Sequence, residues 1–185
     1  MHTLSLETSS PSSGSWAIFK GENLMRHGTF EGRASAQLFQ SLSQLQPLPS
    51  VDQILVGVGP GSFTGIRLGI AAAQGISLAN GDCPVIPVRS ASAFAQRHPD
   101  ATCLGVFAGA QKEEYFVTFF QQGKLIEKTK VFPEVELNSF LNQCTIAVSA
   151  ENIPGTVLST PLAEEIFYYL KKEGQEDLAL EPIHL

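Results

Sequence analysis

The sequence is poor in the residues that mark several classes of protein. Only three of its 185 residues are cysteine, Cys83, Cys103 and Cys144. An odd number without metal-ligand spacing excludes a disulfide framework and a cysteine-held zinc site, and reads as reduced thiols filling a core. The four histidines, His2, His27, His98 and His184, never fall at ligand spacing, so no metal site is legible. Lys and Arg number 12 against 18 Asp and Glu, a net charge of −6. The basic residues are scattered, and no run exceeds Lys171-Lys172. A protein that binds nucleic acid alone usually shows a basic stripe, so any work on RNA calls for a partner that supplies the phosphate contacts. No apolar run approaches the roughly 18 residues of a membrane span, and no charged region precedes an apolar one at the N-terminus. No membrane association is expected, and the setting reads as cytoplasmic.

What is present is a globular composition, 43% hydrophobic and 16% charged, on a chain long enough to bury a core. It is organised around Ile54 to Gly81, ILVGVGPGSFTGIRLGIAAAQGISLANG. Ile54 to Val58 is a short β-branched run, the mark of a buried strand. Gly57, Gly59, Pro60 and Gly61 break it, Ser62 is placed to cap a helix, and Asn80-Gly81 stops that helix. Inside the helix, Gly65, Gly69 and Ala73 form one small-residue ridge, and Ala72, Gly75 and Ala79 another. A helix-interior glycine costs roughly 0.5–1 kcal/mol against alanine, so the ridge implies the close approach of another helix or backbone.

Two readings of this unit compete. The loop can cradle a phosphate at the helix N-terminus, with Glu7, Thr8, Gly59, Gly61 and Ser62 as the candidate residues. Or the helix is a packing surface. A Walker A loop counted from Gly59 finds Gly65 but then Ile66, with no lysine. A dinucleotide fingerprint finds its third glycine one residue late, and Arg89 is the residue that would imitate a 2′-phosphate partner. Ser62 is no nucleophile elbow, since G-x-S-x-G is absent around it.

The string GPGSFTGIRLG, Gly59 to Gly69, resembles the signature of the TsaB (YeaZ) family, the partner subunit in bacterial threonylcarbamoyladenosine synthesis on tRNA. Thr3 to Phe19, TLSLETSSPSSGSWAIF, is similar to that family's opening hairpin, and Glu181 to Leu185, EPIHL, to its closing segment. The resemblance implies an α/β, actin-like (ASKHA, ribonuclease H-like) fold of two lobes, the second reduced. It implies a non-catalytic subunit, without a cofactor, that docks a TsaD-like transferase and works with a TsaE-like ATPase. It also implies a homodimer when alone and tRNA contact only through the complex. The interface it implies lies on the helix pair, at Phe39, Leu42, Gly65, Leu68, Gly69, Ala72 and Ala73. The chain departs from the family at Gly109-Ala110-Gln111-Lys112-Glu113-Glu114, where only Ala110 and Glu114 match a usual Asp-Ala-Arg and Gly-Glu. It departs again at Ala34-Ser35, where a His-Ser pair is usual. The alternatives are an actin-like phosphotransferase or hydrolase acting at Glu7 and the Gly59–Gly65 loop, and a dinucleotide-binding module.

Taken in order, the chain reads as three antiparallel strands to Phe30, a helix from Arg33 to Gln46 ended by Pro47 and Pro49, the central unit, a strand at Pro84 to Val88, and a short helix at Ser90 to Arg97. The second half reads as a strand at Cys103 to Ala108, a hairpin of Glu114 to Gln121 and Lys124 to Phe132, a helix at Pro133 to Gln143, and a strand at Thr145 to Val148. A last helix is capped at Thr160-Pro161 and stopped at Gly174. The expected division is residues 1–100 and 101–185, with most partner contact in the first.

Overall fold

A computed structural model describes residues 1–44 and 50–183. The first half contains β1 (His2–Glu7), β2 (Ser13–Lys20), β3 (Asn23–Glu31), α1 (Ala34–Ser43), β4 (Gln53–Gly57), α2 (Phe63–Ala79), β5 (Val85–Val88) and α3 (Ser92–Arg97). The second contains β6 (Leu104–Gly109), β7 (Glu114–Gln121), β8 (Lys124–Pro133), α4 (Leu137–Leu141), β9 (Ile146–Ser149), β10 (Val157–Leu158) and α5 (Ala163–Glu173). The first sheet runs β3-β2-β1-β4-β5 and the second β8-β7-β6-β9-β10. In each, three antiparallel strands are followed by two that extend the sheet in parallel from its first strand. The same strand plan twice is the actin-like repeat that the resemblance implies. The second copy is the reduced one: no helix separates β9 from β10, and β10 has two residues.

Strand alternation sorts the layers. Leu4 and Leu6 of β1 join Trp16, Ile54, Val56, Leu38, Ile66 and Ile70 on the face covered by α1 and α2. Ala17, Phe19 and Leu55 point the other way, onto Ala93 of α3 and Ala163, Ile166 and Phe167 of α5. Phe94 of α3 and Tyr169 of α5 in turn meet Leu104, Val106 and Phe120 of the second sheet. That sheet's far face packs Phe107, Val117, Phe119 and Phe132 on Leu137 of α4. Helices α3 and α5 are thus the filling between two sheets. They are joined by Arg97, whose guanidinium donates to both carboxylate oxygens of Glu165 (2.7 Å each) and to the Thr160 carbonyl (2.8 Å). The start of α5 is bonded into the first sheet, the Ala163 N–H to Ser15 Oγ at 2.8 Å and the Ser5 hydroxyl to the Ala163 carbonyl at 2.6 Å.

Three boundaries differ from expectation. Over Pro133 to Gln143 a 3-10 turn (Glu134–Glu136) precedes the short α4, because Val135 is 90% exposed and no burial holds a longer helix. Helix α5 starts at Ala163 rather than after Thr160, with the Leu162 N–H taken by the Glu165 carboxylate at 3.0 Å. Helix α1 is described to Ser43; Leu45 to Pro49, and His184-Leu185 of the closing segment, lie outside the described residues.

Candidate functional site

The sequence points to the glycine loop and to the helix behind it. Ser62 caps α2 as expected, its Oγ accepting the Gly65 N–H at 3.3 Å. The rest of the loop is committed to the chain's own turns after β1 and β5. The Ser62 N–H donates to the Ser9 carbonyl at 2.7 Å. Gly61 has φ +150°, and a Cβ there would strike the Ser9 carbonyl closer than 3.0 Å. Gly59 gives its N–H to Ser90 Oγ at 3.0 Å and accepts the Ser90 N–H at 2.9 Å. The Gly59-Pro60 peptide is cis.

Glu7 is 1% exposed. Its Oε1 accepts the Ser9 N–H at 2.7 Å, and its Oε2 has no hydrogen-bond partner. Gly57 makes room for it, since a Cβ there would overlap Oε2. Burial pushes the Glu7 pKa up, and the donors of Ser9, Ser90 and Thr8 pull it back by less. An acid that anchors a metal–phosphate complex must be ionised and reachable, and Glu7 sits behind the loop instead.

Where the two halves face each other lies a cleft of about 540 Å³, walled by Gly61, Ser62 and Phe63 on one side, Glu114, Phe116 and Glu151 on the other, with Pro182 and Ile183 closing one end. Glu7 and Thr8 do not line it. Glu151, just after β9, accepts the N–H of Gly109 at the end of the neighbouring β6 at 2.6 Å. Among the described residues the ionisable groups on the wall are the two acids, so a polyphosphate here would meet carboxylates with no cation opposite them. Arg89 is not a phosphate partner either. It is 3% exposed, paired through Nε and Nη2 with the Glu176 carboxylate, and donates from Nη1 to Thr129 Oγ1 at 2.5 Å. These placements correct the dinucleotide reading and leave the phosphate reading of Glu7 and Thr8 without access.

The small-residue ridge also finds its filler within the chain. Thr8 lies against it, its hydroxyl donating to the Gly65 carbonyl at 2.9 Å. A Cβ on Gly65 would meet the Thr8 carbonyl oxygen, and one on Gly69 the Thr8 Oγ1, both closer than 3.0 Å. Ala72, Ala73 and Leu42 are buried in the first core cluster. Gly65 and Gly69 therefore form an internal seam against Thr8, while Ala72 and Ala73 are buried in the core, so within this chain all four are covered. Of the expected interface, Phe39 is 62% exposed and Leu68 is half-buried. Sequence reasoning missed their neighbours. Thr64, Leu68, Ala71, Gly75 and Leu78 recur at helical spacing along the outer side of α2, with Phe63 at its start. Leu78 is 71% exposed and a Cβ on Gly75 would touch nothing. The three-and-four spacing was readable, but it was hidden by a second ridge of equally small residues on the buried side.

Comparison with known proteins follows the same direction. The family model for TsaD, tRNA N6-adenosine threonylcarbamoyltransferase, matches residues 37–132. The tRNA threonylcarbamoyladenosine biosynthesis protein TsaB of Haemophilus influenzae is 25% identical over 218 residues, covering 98% of this chain and 92% of that protein. The solved structure of YeaZ from Pseudomonas aeruginosa superposes with a TM-score of 0.73 at 22% identity, over 100% of this chain and 99% of that one. A second structure, described as a protein with similarity to peptidase YEAZ from Pseudomonas aeruginosa, gives 0.71 at 22% identity with the same coverage. The matching model spans the first helix layer, the central strand–loop–helix unit and the opening of the second sheet, and the chain belongs to the family it describes, that of TsaD, falling within it among the TsaB (YeaZ) proteins.

Proposed function

We infer that this chain is a non-catalytic subunit in the biosynthesis of threonylcarbamoyladenosine on tRNA, and that it acts by docking a TsaD-like transferase. The observation that carries the reading is the apolar outer face of the α1–α2 layer: Phe39 from α1, and Leu68, Ala71, Gly75 and Leu78 from α2. Small residues at Ala71 and Gly75 let a partner helix approach closely, while Phe39 and Leu78 stand ready to be buried. A net charge of −6 leaves the tRNA phosphates to the partner. The same face serves for self-association in the absence of the transferase, and a TsaE-like ATPase joins the assembled complex. The burial of Glu7 supports a subunit that does no phosphate chemistry itself.

Co-purification with the host's TsaD-like transferase tests this. Ala71→Arg places a long charged side chain on the exposed stripe without entering the core. The variant is expected to melt within about 2 °C of the parent, since surface substitutions change stability by under about 0.5 kcal/mol. It should lose the transferase and the tRNA modification. Normal co-purification of both Ala71→Arg and Phe39→Glu would show that docking lies elsewhere. Phosphate release from ATP by the pure protein, abolished in Glu7→Gln, would favour the phosphotransferase reading.

A further inference from the structure

Two of the three cysteines, 41 positions apart in the sequence, meet at the end of the second sheet opposite the cleft. Cys103 immediately precedes β6 and Cys144 lies two residues before β9, its parallel neighbour. The Cys103 carbonyl accepts the Thr145 N–H at 2.8 Å and the Ile146 N–H at 3.2 Å, which wraps the segment carrying Cys144 around Cys103. The register of β6 with β9 sets Cys103 beside Thr145, so Cys144 stands one residue further back, on the turn that enters β9. The Cys144 sulfur sits over Gly105, two residues along the same strand face as Cys103, where a Cβ would strike it. The two thiols are within hydrogen-bonding reach of each other. Both are half-buried at the rim of the Phe107–Phe119–Phe132 cluster, whereas Cys83 is buried in the first half.

We propose that Cys103 and Cys144 are a dithiol that closes reversibly to an intramolecular disulfide when met by a low-molecular-weight disulfide such as oxidised glutathione. The Cys103 thiolate attacks one sulfur of the oxidant. The oxidant's S–S bond breaks, and one of its sulfurs leaves as a thiolate and takes up a proton. Cys144 then attacks the Cys103 sulfur of the mixed disulfide as its own proton departs to the second leaving thiolate. Two protein thiols are oxidised and one external disulfide is reduced to two thiols. The order follows from Cys144, which donates to the Phe140 carbonyl at 3.3 Å and whose thiol is pushed up to about 12 by burial and then by Cys103. It holds its proton and attacks second. The bridge would tie the first strand of the second sheet to the entry of β9, across the whole β7–β8–α4 excursion, without touching the cleft or the α1–α2 face.

The test is incubation of the whole protein with oxidised glutathione, then denaturation and alkylation. Closure leaves one alkylatable thiol, Cys83, against three in the reduced protein, a monomer on a non-reducing gel, and one linked peptide pair containing residues 103 and 144. It raises the melting temperature by roughly 5–10 °C, and dithiothreitol reverses it. Cys144→Ser should stop at a stable glutathione adduct on Cys103. A wild-type protein that accumulates the same adduct without linking, forms disulfide-bonded dimers, or keeps all three thiols would overturn the proposal.

Discussion

Three glycines of one helix should respond to the same substitution with opposite signs. Gly75→Ala adds a methyl in open space and removes a helix-interior glycine, a gain of about 0.5–1 kcal/mol. For a chain of this size that raises the melting temperature by about 1–4 °C. Gly65→Ala has the same propensity gain, but its Cβ meets the Thr8 carbonyl, a backbone atom in a fully buried turn. Forcing a methyl into a filled seam costs about 1–3 kcal/mol, so the net change is a loss. Gly69→Ala also clashes, though with the Thr8 hydroxyl, the next nearest atoms being at 3.5 and 3.6 Å in ordinary contact. The background Thr8→Ala separates the two. It loses the hydroxyl bond to the Gly65 carbonyl, about 1 kcal/mol, but removes the atom that opposes Gly69→Ala and not the one that opposes Gly65→Ala. Urea unfolding of the singles and doubles should give a coupling of about 1–2 kcal/mol between positions 8 and 69 and none that favours the pair 8 and 65. Equal effects of Ala at all three glycines, or the same rescue at 65 as at 69, would refute the claim that Thr8 fills the seam.

Glu7 makes stability depend on pH. Its folded pKa lies above the unfolded value, so stability is full below pH 4.5 and falls by about 1.4 kcal/mol per unit as pH rises from there to the folded pKa. Glu7→Gln should abolish that loss and gain on the parent with pH; parallel stability curves from pH 4 to 8 would contradict it. Arg89→Met removes the anchor of Glu176 and should speed amide exchange across 175–183, including the Ile183 N–H that donates to the Val58 carbonyl at 2.7 Å; unchanged protection would show that the segment is held by its apolar contacts alone. Phe167→Ala empties the centre of the shared helix layer, where the ring stacks on Phe19 at 3.6 Å, and should cost about 3–5 kcal/mol by calorimetry; a loss below 1 kcal/mol would mean that the layer collapses around the gap.

Much of the architecture is legible because it is written in short-range patterns. The β-branched run, the four breakers and the Ser62 cap of the central unit announce strand, loop and helix. The hairpin of Glu114–Gln121 and Lys124–Phe132 is equally plain, and Gln122 and Gly123 between them both turn with positive φ. The layers are not legible. The sequence shows that α5 has an apolar stripe, but not that the stripe faces a sheet made 150 residues earlier. The small-residue ridge of α2 has the same ambiguity. Small residues at four-residue spacing say that something comes close, and the identity of that something, Thr8, is a tertiary fact. Arg89 and Glu176 are separate charges in the sequence and become a pair only through the path of the C-terminal segment.

The position of α5 between the sheets has a consequence for synthesis. The chain is made from its N-terminus, and the first sheet can pair all five strands once residue 88 is free. Its Ala17–Phe19–Leu55 face gains α3 within the next ten residues but still lacks α5. At about 5–20 residues per second, the 85 residues from Val88 to Glu173 take roughly 4–17 s to follow. Through that interval the nascent first half displays an uncovered apolar surface around Phe19, and a helix translated long after the first sheet is the one that completes its layer.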